Sequence, residues 1–189
     1  ACTSFQSNAT IHTQQNANAM SCWDSAARYQ GLDPWLLYAV GFTESSHREN
    51  IISKPNRNGT YDIGLMQINS TWLPELRKHG ITQDKLLDGC TSIYVGAWIL
   101  SKSIKRYGYS WEAIASYNTG SVNTPRRREI GLRYAQKVYQ NYERFKRTYA
   151  QQSPTSQAAS QQSALPQHLS TQNTASAPLS SFPKTLTFN

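Results

Sequence analysis

Four helical patterns in this sequence each run into a glycine. Residues 22–30 stop at Gly31, "INSTWLPEL" gives way at Gly80, residues 90–107 end at Gly108, and "WEAIASYN" ends near Gly120. A glycine just past a periodic run supplies the left-handed residue that closes a helix, so the chain is confined to short helices that must pack on one another. The starts are marked as well. Asp33 before Pro34 is an N-cap followed by a first-turn proline, which predicts a helix from Pro34 to Thr43; Asn69 or Ser70 opens the next, and Ser110 caps "WEAIASYN". Ile93, Ala97, Leu100 and Ile104 keep helical spacing, as do Leu132, Ala135, Val138, Tyr142 and Phe145 in a last helix over about 127–147. In "KPNRNGTYDIG" the Asn58-Gly59 pair predicts a tight turn and a small hairpin. The expected fold class is α+β, mainly α, with one β-hairpin.

The pattern does not fill the chain. Residues 1–20 and 150–189 are rich in Ser, Thr, Asn, Gln and Ala with few large apolar side chains, and neither end can build a core. We therefore expect a flexible N-terminal segment over 1–20, one domain over 21–149, and a disordered low-complexity polar tail over 150–189. No run of about 18 apolar residues exists, so no membrane span is expected. The N-terminus shows no basic segment followed by an apolar one, so no uncleaved signal peptide is expected; a processed, exported chain looks the same. The net charge of +8 resides in the middle, in Arg126-Arg127-Arg128 and between Arg133 and Arg147. A basic face suits an anionic polymer, whether nucleic acid, membrane surface or acidic cell-wall glycan. These arginines precede an amphipathic helix without interleaved exposed aromatics, which favours a solvated basic face over a nucleic-acid site. Of the three cysteines, Cys22 and Cys90 each start a predicted helix and are the favoured pair, with two buried thiols as the alternative; Cys2 is left over.

One residue breaks its local rules. In "LLYAVGFTESSHREN" the apolar run from Leu36 to Phe42 is followed by Thr43 and then Glu44, which shares a helix face with Leu37 and Val40. An acid in the last turn of a helix, where the macrodipole is negative, is disfavoured by a few tenths to about 1 kcal/mol. Burial and dipole both raise a carboxyl pKa. An acid that holds its proton near neutrality can protonate a departing glycosidic oxygen, so Glu44 is the candidate general acid. The competing reading is a helix-end glutamate that merely faces solvent.

Glu44 and His47 have the Glu-x-x-His spacing of carboxylate-bridged metal bundles, but such sites need a second pair and further acids. His12, His79 and His168 have no Cys or acid at ligand spacing. No metal or cofactor is expected, and His47 reads as a surface residue just past the helix end. GxSxG, P-loop and GxGxxG patterns do not occur. In "YDIGLMQIN", Gly64 permits close backbone approach, Met66 offers an adaptable apolar contact, and Gln67 and Asn69 point the same way if the segment is extended. Paired amides beside an apolar surface suit N-acetylated sugars; a plain loop with Asn69 capping the next helix is the alternative. Tyr117 and Asn118 in "ASYNTG" close a helix as Glu44 does, and two such ends can converge on one cleft, although a simple helix cap explains them equally.

Taken in order, Glu44-Ser45, Ser53, Gly64-Leu65-Met66-Gln67 and Ser116-Tyr117-Asn118-x-Gly120 resemble the "ES", serine, "GLMQ" and "AYN-x-G" motifs of the lytic transglycosylases of the lysozyme superfamily. The stretch "NGTYDIGLMQINSTWLPEL … CTSIYVGAWIL" is similar to the small branch that accompanies type III and type IV secretion systems and conjugation. The resemblance covers about 22–149. It implies a lysozyme-like fold, peptidoglycan strands as substrate, and Glu44 as acid and then base in forming a 1,6-anhydromuramic end without water. A second carboxylate is then not required. It further implies that Tyr117 orients Glu44, that Asn118 supports the cleft, and that Ser53, Gln67 and Asn69 hold sugar hydroxyl and acetamido groups. Gly64 and Met66 count among the substrate-binding positions and Ser45 as an accessory one. A Cys22–Cys90 disulfide, a periplasmic location and partners in a secretion or conjugation machine are implied as well. The chain departs from the family in Ser46-His47-Arg48, where an aromatic and a proline are usual, and in Ser116 for alanine. Asp62, two residues before "GLMQ", is the nearest second acid: it either steadies the turn or, as in a water-using muramidase, stabilises positive charge on the sugar. A wall-binding module without catalysis is the non-enzymatic alternative.

Overall fold

The computed structural model of the protein describes residues 22–152. The expectations for residues 1–20, for Cys2, His12 and His168, and for the tail beyond residue 152 lie outside the described residues. The first helix, α1, covers residues 22–30 and buries Trp23, Ala26 and Ala27, a spacing of three and four that makes one apolar face. Helix α2 is Pro34–Ser45, and its cap is the one the sequence predicts: the Asp33 carboxylate accepts from the N–H groups of Trp35 at 2.7 Å and Leu36 at 3.2 Å. It runs two residues further than expected and so contains Glu44 within its last turn. Leu36, Leu37, Ala39 and Val40 are fully buried, which makes α2 a central element.

Beyond α2 the chain turns through two left-handed residues, Ser46 at φ 56° and His47 at φ 60°. His47 is not the surface residue expected. Its Nε2 donates to the Tyr38 carbonyl at 2.9 Å, and its ring packs among Trp23, Tyr38 and Phe42. Burial holds the imidazole below its ordinary pKa, with the Tyr38 hydrogen bond opposing. Aromatic packing on three sides, which a polar "SSHR" string conceals, is the physical reason for the difference.

The β element is an antiparallel pair, β1 (Asp62–Ile63) and β2 (Ile68–Asn69), with Asp62 opposite Asn69 and Ile63 opposite Ile68. The turn at Asn58-Gly59 forms, with the Asn56 N–H donating to the Thr60 carbonyl and the Gly59 N–H to the Asn56 carbonyl. Its flanks meet in one isolated bridge, Ile52 with Ile63, so the two-stranded sheet lies on the other side of β1 from the turn that announced it. The connection between β1 and β2 is built on left-handed Gly64 (φ 70°) and Gln67 (φ 48°).

A short 3₁₀ turn, Ser70–Trp72, is capped by Asn69 and leads into α3, Leu73–Arg77, whose C-cap is Lys78 and after which Gly80 turns the chain at positive φ. A four-residue helix, α4 (Gln83–Leu86), is absent from the sequence prediction because it is too short to show a period. Helix α5, Gly89–Tyr107, buries Ile93, Ala97 and Leu100, and its start is tied to the start of α1 by a Cys22–Cys90 disulfide. Helix α6 is Trp111–Thr119 and α7 is Pro125–Gln152, continuing past Ala150, where the sequence predicts a polar tail. Gly131 lets α7 lie directly on α6: a Cβ there would stand 2.8 Å from both the Ala115 Cβ and its carbonyl oxygen. The helix also packs along α2. The architecture is thus mainly α with one small sheet, as predicted, and no described helix is long and apolar enough to cross a membrane.

Candidate active site

A cleft of about 640 Å³ runs between the β element, the end of α2 and the α6–α7 connection. Glu44 stands in it because α2 delivers the last turn of its buried face there. The side chain keeps some exposure through the open cleft while protein atoms crowd it on the other sides. Its carboxyl pKa is raised from 4.5 to about 7. Burial is the main cause, the Tyr134 hydrogen bond opposes it, and the charge of Asp62 adds to it. The negative end of α2 acts in the same sense as burial.

Tyr134, on α7, is the residue that fixes the acid: its hydroxyl donates to Glu44 Oε1 at 2.5 Å. Sequence reasoning missed it, because a tyrosine one residue before the core-facing Ala135 of an amphipathic helix reads as packing. Tyr117 was the residue expected in that role. Its hydroxyl instead donates to the Met66 carbonyl at 3.0 Å; it lines the cleft, and burial first and the nearby Glu44 charge second raise its own pKa. The Met66 backbone is therefore a crosspoint, with its N–H donating to Ser92 Oγ on α5 at 3.0 Å and its carbonyl bound by Tyr117 on α6.

The remaining predicted residues divide into wall and scaffold. Asn118, Gln67, Asn69 and Asp62 line the cleft. Gln67 reaches it from a left-handed turn position and not from an extended strand; its Nε2 donates to the Gly64 carbonyl at 2.8 Å. Asn69 donates to Asp62 Oδ1 at 2.8 Å and Thr60 Oγ1 at 3.2 Å, and its own oxygen caps the 3₁₀ turn. Asp62 also receives Asn56 at 3.4 Å. It thus both steadies the turn and faces the cleft.

Gly64, Met66, Ser53 and Ser45 are not on the cleft wall. Gly64 sits against the Leu86 carbonyl, into which any Cβ would collide, and the fully buried Met66 side chain fills the space over Gly41 and Gly96. Ser53 Oγ accepts from the Asp62 N–H at 2.9 Å and so braces β1. Ser45 is buried, and its hydroxyl has no partner among the described residues. A motif string does not say which of its side chains turn inward, and half of "GLMQ" turns into the core.

Among the further wall residues are Trp72, which the sequence reading passed over, and Arg127, which it took only as part of a basic face. Trp72 offers an aromatic surface, braced edge-on by Trp98 with Lys102 over both rings. Arg127 also lines the cleft, held by a 3.0 Å hydrogen bond from Nη1 to Ser121 Oγ. The arginine run is exposed, as expected of a solvated basic face, with Arg128 paired with Glu112 at 2.7 Å and Arg127 at the edge of the cleft. Amides, hydroxyls, the aromatic side chains of Trp72 and Tyr117, and one acid poised near neutrality make a surface for a hydroxyl-rich polymer with proton transfer at one point. Among the described residues no group of three or more His, Cys, Asp or Glu is placed to hold a metal ion.

Residues 21–143, which include every wall residue named above, match the family described as Transglycosylase SLT domain. The chain belongs to that family. The transglycosylase domain is also similar to curated proteins. It is 45% identical over 126 residues to "Invasion protein IagB" of Salmonella typhimurium, covering 66% of this chain and 77% of the relative. With an "X polypeptide" of Escherichia coli it shares 39% over 138 residues, covering 72% and 81%. With "Protein IpgF" of Shigella flexneri it shares 33% over 125 residues, covering 66% and 80%. In the transglycosylase domain, then, the acid, its tyrosine clamp and the cleft wall come together from α2, the β element with its 3₁₀ turn, α6 and α7.

Proposed function

We propose that this transglycosylase domain is a peptidoglycan lytic transglycosylase that cleaves the β-1,4 bond between N-acetylmuramic acid and N-acetylglucosamine. Protonated Glu44 gives its proton to the glycosidic oxygen as the C1–O bond breaks, and the bonding electrons leave with the N-acetylglucosamine oxygen. The muramic C6 hydroxyl then attacks C1 and returns its proton to the Glu44 carboxylate. One ring-closing C–O bond replaces the one lost, no water is taken up, and the product ends in a 1,6-anhydro sugar. The observation that carries this reading is a single cleft carboxyl whose pKa lies near 7, high enough to hold a proton and low enough to give it up. Tyr134 keeps one of its oxygens fixed through both steps. The cut opens the wall locally, in the periplasm, for a secretion or conjugation apparatus. The name "Invasion protein" carried by the IagB relatives and the disulfide, which suits an oxidising compartment, support that setting.

A second reading is a muramidase that uses water, favoured by the presence of Asp62 in the same cleft. Mass spectrometry of digested wall separates the two: anhydro ends are lighter by one water than hydrolytic ends. Predominant anhydro ends support the transglycosylase, and predominant reducing muramic ends support the muramidase. If wild type and Glu44→Gln release equal background amounts of fragments while both bind wall, the domain is a non-catalytic binding module.

A further inference from the structure

The cleft wall includes two acids, Glu44 and Asp62, and one cation, Arg127. A hydroxyl- and acetamido-bearing chain gives a guanidinium no anion to answer. Among the described residues Arg127 makes no ion pair, in contrast to Arg128 on Glu112 and Arg133 on Glu129. Its guanidinium is nevertheless held in place, by Ser121, whose residue is buried at the α6–α7 connection. The remaining N–H groups of such a fork match a carboxylate, and its position in the first turn of α7 adds the positive end of a long helix dipole. Asp62, fixed by Asn69 on the β side of the cleft, repels the same carboxylate and gives the groove a polarity.

From these observations we infer that Arg127 binds a carboxylate of the glycan substrate and sets the direction in which the strand lies. Helix α7 fixes the spacing. Arg127 and Tyr134 are seven residues apart, so they lie on nearly the same helix face about 10 Å apart along the axis. Tyr134 holds the acid, and Arg127 therefore reads charge about two helical turns from the bond to be cut. Within the lytic reading, on which this inference rests, a peptidoglycan strand offers two sources of carboxylate. One is the lactyl group of muramic acid where the stem peptide has been removed, and the other is the stem peptide itself.

The test measures binding to the full chain carrying Glu44→Gln, with and without Arg127→Gln or Arg127→Lys. The ligands are peptide-stripped glycan strands, peptide-bearing strands, and chitin oligosaccharides, which carry no carboxylate. Arg127→Gln is expected to weaken binding about tenfold, the scale of one charge-assisted hydrogen bond, to carboxylate-bearing strands and to leave chitin binding unchanged. Arg127→Lys restores part of the loss. A loss on stripped strands assigns the lactyl carboxylate, and a loss confined to peptide-bearing strands assigns the stem. Equal losses on all three ligands, or none on any, overturn the inference while leaving the lytic reading in place. Failure of the Glu44→Gln protein to bind any of the three overturns that reading as well.

Discussion

Replacing Glu44 by Gln is expected to make the protein more stable, by an amount that depends on pH. The folded state binds the Glu44 proton more tightly than the unfolded state, with a pKa of about 7 against an ordinary value of 4.5. Below 4.5 both states carry the proton and the carboxyl has no pH-dependent effect. Between the two values the folded state keeps a proton that the unfolded state has lost, so wild-type stability falls as pH rises, and the loss is complete above 7. Each pKa unit is worth about 1.4 kcal/mol, so the full difference is about 3 kcal/mol. Gln fills the same space, its carbonyl can accept from Tyr134, and it never ionises. The stability gap between variant and wild type should therefore be near zero at about pH 4 and reach about 3 kcal/mol at about pH 8. For a domain of this size that corresponds to about 10 °C in Tm. Urea or thermal unfolding of both proteins across this range checks it. A gap independent of pH, or a variant less stable than wild type at the alkaline end, would refute the reasoning.

Activity on purified wall should fall as pH rises past about 7, where Glu44 loses its proton, and Tyr134→Phe should move that alkaline limb upward, because the hydroxyl it removes favours the carboxylate; pH profiles of both proteins check this. Reducing the Cys22–Cys90 bond, whose partners are 68 residues apart in sequence, should lower unfolding free energy by about 4 kcal/mol, measured by denaturant titration with and without reductant. Gly64→Ala should destabilise by about 3 kcal/mol or more, since it combines a left-handed φ of 70° with a collision at the Leu86 carbonyl, and calorimetry should show a lowered Tm.

The helices were legible because their boundaries are local chemistry. Asp33 caps α2, Ser110 caps α6, and the closing glycines adopt positive φ at Gly31, Gly80, Gly108 and Gly120. Glu44 was legible because it contradicts its surroundings, as an acid on an apolar face. Tyr134 and Arg127 were not, because each obeys a local rule, the first as an aromatic on a packing helix and the second as one cation in a basic run. Only the docking of α7 reveals the bond from Tyr134 to Glu44, across 90 residues of sequence. The opposite error befell Gly64 and Met66: the string "GLMQ" marks a place where the cleft is built, but only Gln67 lines it, while Leu65 and Met66 face the core and Gly64 packs on the Leu86 carbonyl.

The bonds between α2 and α7 can form only once the last helix is present. Asp33 meets Tyr142, Thr43 meets Asn141 and Glu44 meets Tyr134, at sequence separations of 109, 98 and 90. Pairings so distant in sequence close long loops, at an entropic cost that grows only slowly with loop length. A nascent chain that has reached Thr119 already holds "ES", "GLMQ" and "SYN", yet its acid has no clamp and its cleft no far wall. The clamp on the acid and the far wall of the cleft thus arrive together, with the final helix.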